Sequence, residues 1–153
     1  MLEQALRTFL LTFAAITAQV STRILVGEKK FADQGDLPAI TIEGHHHLKP
    51  LATVDGGVVD LQFPLFDVVV HSVLFETSIA IGELVRRALL NLANGGVVAI
   101  TVDGSPVNVT IEQLDPVCDP YCDNEEHIGH GLTDKPRVLT IQVGWRQNVT
   151  PLS

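Results

Sequence analysis

Two cysteines and two histidines fall within thirteen residues of one polar segment, and they are Cys118, Cys122, His127 and His130. Thiolates and imidazoles are the ligands of tetrahedral zinc sites, and four protein ligands make a closed structural site. Metal binding would also order a long loop. However, the Cys-x3-Cys and His-x2-His spacings differ from the common zinc patterns, and acidic residues crowd the segment. A solvated acidic loop with free or paired cysteines is therefore the alternative, and no cofactor other than this structural zinc is expected.

A run of three histidines, His45 to His47, is the second group that could bind a metal. On a strand, His45 and His47 would share one face while His46 points away, so at most two could chelate. We interpret the run as a polar strand end or loop. His45 and His47 could titrate there at an interface near neutral pH.

The pair Trp145-Arg146 lies near the C-terminal end of the sequence. Trp and Arg are both enriched at interface hot spots. A single Trp on an apolar strand face is nevertheless usually buried, so we expect Trp145 in the core. Arg146 falls on the opposite face and is a candidate interface residue.

Signatures of catalysis are missing from the sequence. It contains no Gly-x-Ser-x-Gly elbow, no phosphate-binding loop and no dinucleotide fingerprint. Glu125 and Glu126 precede His127, but nothing marks a nucleophile near them. We therefore expect a protein that is not an enzyme.

The composition limits the classes of partner that the chain is expected to bind. Hydrophobic residues make up 46% of its 153 residues, which is ample for one core, and the formal net charge is −8. An acidic surface repels nucleic acid phosphates, yet it would suit a channel wall past which DNA slides. The apolar run from Phe9 to Ile16 is shorter than the roughly 20 residues that span a bilayer. We expect no membrane partner and no export signal.

Hydrophobic periodicity predicts two helices. Leu2, Leu6, Phe9, Phe13 and Ile16 recur at three- and four-residue steps, which indicates one amphipathic helix of about four turns. A second helix, capped by Thr77 or Ser78, carries its apolar stripe through Ile81, Leu84, Val85, Ala88 and Leu92 and turns Arg86 and Arg87 outward. Asn94-Gly95-Gly96 predicts its end.

The remaining apolar segments read as strands. Short strands are predicted at 23–26 and 37–42, a long one at 58–71, a hairpin at 97–102 and 107–114, and a final one at 137–147. The parity of apolar residues switches near Pro64, which indicates either a bulge or a strand buried on both faces. The predicted fold is α+β, a mostly antiparallel sheet with two helices packed on one face, in the order α-β-β-β-α-β-β-β. We expect residues 1–153 to form a single domain with long loops at 43–57 and 115–136.

The order of these features resembles the phage tail-completion family, also described as tail terminators or minor tail components. The resemblance rests on Leu2-Glu3-Gln4-Ala5-Leu6-Arg7 in the opening helix, on Arg23-Ile24, on Leu37-Pro38-Ala39-Ile40 and on the closing Trp145-Arg146. These features extend over nearly the whole chain. The Cys/His segment and the histidine run are not part of the family pattern.

The resemblance implies a homo-oligomeric ring, a hexamer, at the head-proximal end of a phage tail. Such a ring would cap the tail tube, meet the head connector and let DNA pass through its lumen without specific binding. The expected location is the tail neck of the virion, and the host cytoplasm during assembly. The alternative that the residues leave open is a small zinc-binding adaptor that uses Cys118, Cys122, His127 and His130.

Overall fold

The computed structural model describes residues 2–27, 31, 34–44, 59–62, 64–117, 121–122 and 136–148. In these ranges the helices are α1 (Leu2–Leu11), α2 (Ala14–Val20) and α3 (Phe75–Leu89), and 3-10 turns lie at Gln34–Asp36 and Leu90–Leu92. The strands are β1 (Ile24–Val26), β2 (Ala39–Gly44), β3 (Val59–Gln62), β4 (Leu65–His71), β5 (Gly96–Val102), β6 (Ser105–Pro116), β7 (Tyr121–Cys122) and β8 (Arg137–Asn148).

The strands form one sheet in the order β1-β2-β4-β8-β6-β5, and β3 and β7 also pair with β8. Strand β8 is therefore the centre of the sheet. Every described pairing is antiparallel except that of β1 with β2, which is parallel. The α+β class predicted from the sequence is confirmed, and the predicted mostly antiparallel sheet is matched in part, because the β1–β2 pair is parallel.

The helices cover one face of the sheet and form the main core with it. Leu6 and Leu10 of α1 and Val85 of α3 are fully buried against sheet residues such as Phe66 and Val143. Helix α1 lies against both β1 and β5, which are the two edges of the sheet. The sheet therefore curls around α1, and α3 packs beside it on β4 and β8.

The opening helix differs from its prediction, because the structure divides it into α1 and α2. Phe13 has extended backbone angles, φ −92° and ψ 111°, between the two helices. The Thr12 hydroxyl donates to the Phe9 carbonyl at 2.6 Å, a local bond that competes with helix continuation. Phe9 and Phe13 contact each other edge to face with ring centroids 5.1 Å apart. The apolar stripe is thus preserved across a break that its spacing did not reveal.

The long strand predicted at 58–71 is present as β3 and β4. Their partners on β8 follow one register, from Val59 opposite Asn148 to Val70 opposite Arg137. The Val143 amide donates to the Pro64 carbonyl at 3.1 Å, so the pairing continues past the proline. Of the two explanations for the parity switch, burial on both faces is the correct one here, since neighbouring Val68 and Val69 are both buried.

Helix α3 starts earlier than Thr77, at Phe75. The hydroxyl of Ser72 accepts a bond from the Leu74 amide at 3.3 Å. The side chain of Ser78 is fully buried and donates to the Phe75 carbonyl, so it does not act as a cap. Helix α3 ends at Leu89, three residues before the last predicted apolar position, and the 3-10 turn Leu90–Leu92 leads to the predicted stop. There Gly95 has φ +93°, and a Cβ would meet the carbonyls of Ile111 and Glu112 at 2.9 Å.

The predicted hairpin is confirmed with a tighter turn. Val102 pairs with Ser105, so the connection is the two residues Asp103 and Gly104 instead of four. Both have positive φ, which matches the right-handed twist of the flanking strands. A bulge lies further along β6, between Ile111 and Gln113 opposite β8.

The two predicted loops are shorter than expected where the structure describes them. Glu43 and Gly44 belong to β2, Asp115 and Pro116 belong to β6, and Tyr121–Cys122 pairs with β8. The element order is accordingly longer than predicted: the first helix and the long strand are each divided, and β7 is additional.

Candidate interaction surfaces

The predicted zinc ligands fall mostly outside the described residues. Cys118, His127 and His130 lie there, and Cys122 belongs to β7, where its backbone pairs with that of Arg137. Within the described ranges, no group of three or more His, Cys, Asp or Glu side chains could hold a metal ion. The zinc site remains a prediction.

The structure describes only one of the three predicted interface residues. His45 and His47 lie outside the described residues, and Arg146 belongs to the central strand β8, opposite Leu61 on one side and Thr110 on the other. Trp145 is in the core as predicted, with 8% of its surface exposed. Its indole Nε1 has no hydrogen-bond partner among the described residues. The interface roles of His45, His47 and Arg146 remain predictions.

A buried polar network occupies the sheet face opposite the helices. His71 and Thr41 are both fully buried, and the His71 Nε2 lies 2.9 Å from the Thr41 hydroxyl. That hydroxyl also donates to Glu43 Oε1 at 2.9 Å. A hydroxyl has one proton, so His71 must donate through Nε2 and carries its proton there. The network therefore holds one ring nitrogen of His71 in a defined role.

The same face carries a second polar contact and an apolar cover. The Thr140 hydroxyl donates to Asp67 Oδ1 at 2.6 Å. Phe31 lies over His71 with ring centroids 5.0 Å apart, and it forms a small cluster with Leu37 and Ala39. Sequence reasoning did not single out His71. The parity of β4 could have found it, since His71 alternates with the core-facing Val70.

The outward flank of α3 exposes large apolar side chains. Phe75 is 47%, Ile79 37% and Leu90 45% exposed. The exposed Leu74 precedes Phe75 directly. Sequence reasoning assigned one apolar stripe to this helix, the one that faces the core, and it missed this second one.

A salt bridge lies in the middle of that flank. The Arg86 guanidinium donates two hydrogen bonds to the Glu83 carboxylate, at 2.9 Å from Nε and 2.6 Å from Nη2. The hydrogen bond from Arg86 lowers the pKa of Glu83, and the positive charges of Arg86 and Arg87 act in the same direction. The bond to Glu83 raises the pKa of Arg86. Both arginines point outward, as predicted from the helical spacing.

A small apolar groove runs beside the C-terminal half of α3. It lies between the helix and the sheet, and its lining residues are Arg86, Leu89, Leu90, Leu114, Pro116, Leu139, Thr140 and Ile141. Two wider grooves open between α2 and α3 and between the edges β1 and β5. None of these three grooves on the described surface is lined by Asp, Glu, His or Cys. Only the groove beside α3 is mainly apolar, since the other two also contain Arg, Gln, Thr or Asn side chains.

No protein-family model matches the chain, and no curated protein matches it. Among solved structures, it is similar to a chain of a structure described as the virion of a native gene transfer agent particle, with a TM-score of 0.55 and 14% sequence identity. The similarity covers 95% of this chain and 95% of that chain. At this identity the likeness shows a shared fold over almost the full length of both chains. Separately, no helix among the described residues has the length and apolar character needed to cross a membrane.

Proposed function

We propose that the chain is a structural protein of a phage-like virion particle. The observation that carries the proposal is the fold shared over 95% of both chains with a chain of a gene transfer agent virion. A fold can host many functions, so the specific role is argued from surfaces and from the family resemblance. The exposed apolar side chains of α3 are the kind of surface that binds other proteins.

Within that particle, the proposed role is a ring that caps the tail tube and joins it to the head connector. The ring would contain six copies of the chain, as the resemblance to tail-completion proteins implies. Its work would be geometric: it ends tube growth on one side and offers a docking surface on the other. This role needs no catalytic residue.

The charge of the chain supports a lumen that DNA traverses without binding. The formal net charge is −8, and negatively charged side chains repel the negatively charged phosphate backbone of DNA. A ring whose lumen is lined mainly by Lys and Arg would contradict this part of the proposal. Electron cryo-microscopy of the assembled ring would identify the lining residues.

The experiment that tests the ring combines light scattering of the purified chain with negative-stain images. The expected result is an annulus of six copies, and its formation should rise with concentration because assembly is bimolecular at each contact. The annulus should bind the end of purified tail tubes and not their sides. A chain that stays monomeric at high concentration, both alone and with tail tubes, would overturn the ring proposal.

A second experiment tests the broader virion assignment. Antibodies against the chain, bound to purified particles and imaged with gold labels, should mark one site per particle, at the junction of head and tail. Labelling elsewhere on the particle would keep the virion assignment and reject the neck. Particles that contain no copies of the chain would reject both.

A further inference from the structure

The two edges of the sheet, β1 and β5, differ in how their outward backbone groups are bonded. Strand β1 bonds to β2 through alternate residues, Arg23 and Gly27 among them, so the backbone of Ile24 points away from the sheet. The Ile24 amide donates to the Thr22 carbonyl at 2.8 Å, and the Ile24 carbonyl accepts a bond from Arg7 Nε at 2.6 Å. The short β1 edge is therefore partly closed by the chain itself.

At β5, the backbone groups of alternate residues point away from the sheet. The connection to β6 has two residues, so the hydrogen-bonded pairs begin at Val102 and alternate along the strand. Pro106 has no amide proton, and it lies opposite Thr101, at a position without ladder bonds. The amides and carbonyls of Val97, Ala99 and Thr101 therefore point away from β6. No group among the described residues bonds to them.

Strand β5 also lacks the features that protect natural sheet edges. Gly96–Val102 contains no charged residue and no proline, and all seven residues pair with β6 without a register shift. Edge strands are usually very short or carry a charge, a proline or a bulge, because an open backbone edge pairs with other chains. The side chains of Val97, Ala99 and Thr101 are exposed. The β5 edge is thus a template for one further strand.

The groove beside this edge contains one positive charge. Gln4, Arg7 and Thr8 of α1 line it between Leu25 of β1 and Thr101 of β5. Arg7 is half-buried, and its Nε bond to β1 leaves the donors of both Nη atoms for another acceptor. No carboxylate in the part of the chain that the structure describes forms a salt bridge with Arg7. A strand that enters the groove therefore meets a charge that a carboxylate would neutralise.

We propose that the β5 edge binds an extended acidic segment of a partner protein. The segment adds to the sheet as a strand and places the carboxylate of an Asp or Glu side chain beside Arg7. Pairing with the backbone of β5 supplies affinity, and the charge-assisted bond to the guanidinium supplies specificity. The added strand also fills the groove between the two edges of the sheet.

A second copy of the chain does not supply this carboxylate through its own β5 edge. Two β5 strands related by a twofold axis at Ala99 would pair Thr101 of one copy with Val97 of the other. Strand β5 contains no acidic residue, so such a pair would leave Arg7 without an anion. The binding of an acidic segment goes beyond the proposed ring function and does not depend on it.

Amide hydrogen exchange followed by NMR tests whether the edge is open. In the chain at low concentration, the amides of Val97, Ala99 and Thr101 should exchange fast. The amides of Val98 and Ile100 bond to β6 and should exchange slowly. Slow exchange at all five positions would show that another part of the same chain covers the edge, and this would overturn the proposal.

A set of nonapeptides of Thr, Ser and Val, acetylated and amidated at their ends, supplies the probe. One position carries Glu, and this position differs from peptide to peptide. At least one peptide should bind with a Kd below about 1 mM and protect the amides of Val97, Ala99 and Thr101. Its Gln counterpart should bind about fivefold more weakly, and the difference should shrink at about 0.5 M salt.

Two results with these peptides would contradict the proposal. Absence of binding by every peptide at about 1 mM would overturn the strand addition. A stronger preference for a free C-terminus than for an internal Glu would overturn the assignment of the carboxylate to a side chain. Fluorescence anisotropy of labelled peptides measures both.

Methylation of the peptide backbone tests whether the peptide binds as a strand. One version of the binding peptide carries methyl groups on the amides of its odd residues, and a second version carries them on its even residues. Only one set of amides faces β5, so one version should lose binding and the other should keep it. Equal effects of the two patterns would reject the strand.

Substitutions in the chain test its two contacts separately. Ala99→Pro removes an outward amide that β6 does not use, so circular dichroism should be unchanged while binding falls about tenfold or more. Ala99→Thr keeps the amide and is the control. Arg7→Met should bind the Glu and Gln peptides equally, whereas Arg87→Met on α3 should keep the preference. Unchanged binding by Ala99→Pro, or a preference that survives Arg7→Met, would overturn the proposal.

The ring and the strand addition fail in different ways. Annuli from a chain that binds no peptide would support the ring and reject the strand addition. Peptide binding by a chain that never forms annuli would support the strand addition and reject the ring. Protection of the Val97, Ala99 and Thr101 amides in annuli alone, without peptide binding, would make a second copy the occupant and overturn the acidic partner.

Discussion

Helices α1 and α3 are both amphipathic, but they use their apolar residues differently. In α1, the apolar residues Leu2, Leu6 and Leu10 are all buried, and Arg7 Nε donates to the Ile24 carbonyl at 2.6 Å. In α3, Ile81 and Val85 are buried while Phe75 and Ile79 are exposed. Helix α1 thus has no large apolar side chain in the exposed class, although Phe9 and Leu11 are half-buried, whereas α3 does.

The difference shows how one helix of a small domain can stabilise the fold while another also offers surface for an interface. A helix that touches both sheet edges closes the fold, and its side chains are constrained on several sides. A helix that lies over the middle of the sheet has one flank against it and another toward solvent. Apolar residues on that second flank add little to folding, so an interface is the physical reason for them that we infer.

The largest effects should come from truncating buried residues of α1. Leu6→Ala should lower the free energy of unfolding by about 2–5 kcal/mol, because Leu6 is fully buried and its removal leaves a cavity. Ile79→Ala in α3 should cost less than about 1 kcal/mol. Urea denaturation of the monomeric chain at low concentration would measure both. Similar costs would show that the exposed flank of α3 is part of the folded core after all.

A smaller effect should follow from overpacking the buried side of α3. A Cβ at Gly82 would lie 3.0 Å from Arg137 Cγ and 3.9 Å from Leu139 Cδ1. Gly82→Leu should therefore destabilise the chain by about 1–3 kcal/mol, despite the better helix propensity of leucine. Ala80→Leu, on the exposed side, is the control and should be nearly neutral. If thermal unfolding shows both variants to be neutral, α3 does not pack closely on β8.

The next effect concerns the bond that ties α1 to β1. Arg7→Met keeps the apolar stem but removes the donor to the Ile24 carbonyl, and we expect a loss of about 1–2 kcal/mol. Arg87→Met on the exposed side of α3 is the matched control and should change the unfolding free energy little. Chemical denaturation of the two variants gives the comparison. A neutral Arg7→Met would show that α1 is held by its apolar contacts alone.

The smallest effect should be the pH dependence of the Glu83–Arg86 salt bridge. The hydrogen bond from Arg86 lowers the pKa of Glu83 in the folded chain. The bridge therefore contributes stability at pH above the ordinary glutamate pKa, and this contribution is lost as pH falls through the lowered value. Arg86→Gln should melt slightly below the wild type at neutral pH, and the difference should vanish in acid. A difference that persists in acid would point to the packing of the Arg86 stem.

Much of the fold was predictable from residue types. The Asn94-Gly95-Gly96 stop, the hairpin around Asp103-Gly104 and the burial of Trp145 follow from local backbone preferences and from alternation, and the structure confirms them. The break at Thr12 and Phe13 was not predictable, because the apolar spacing continues through it. The exposed stripe of α3 was not predictable either, since periodicity identifies apolar positions and does not say which of them a neighbour covers.

The sequence and the structure point to two different candidate sites. The first was predicted from the chemistry of its side chains, and the second was recognised from the exposure of its side chains in the structure. Cys118, Cys122, His127 and His130 stood out because of their ligand types, and their zinc site stays a prediction. Phe75, Ile79 and Leu90 carry no distinctive chemistry, and only their exposure marks them. Residues that act by shape are harder to find in a sequence than residues that act by coordination, because apolar residues are common and most of them are buried.

By itself, the sequence determined most of the elements of this protein: the approximate positions of the helices and strands, the helix stop at Gly95 and the core-facing sides of α1 and α3. These properties depend on interactions between residues close together in the chain. The tertiary structure alone decided the strand order, with β8 at the centre, and the position of α1 against both edges of the sheet. It also decided the buried His71–Thr41 contact and the exposure of one flank of α3. Each of these depends on segments far apart in the chain, whose proximity is set by how the whole core packs.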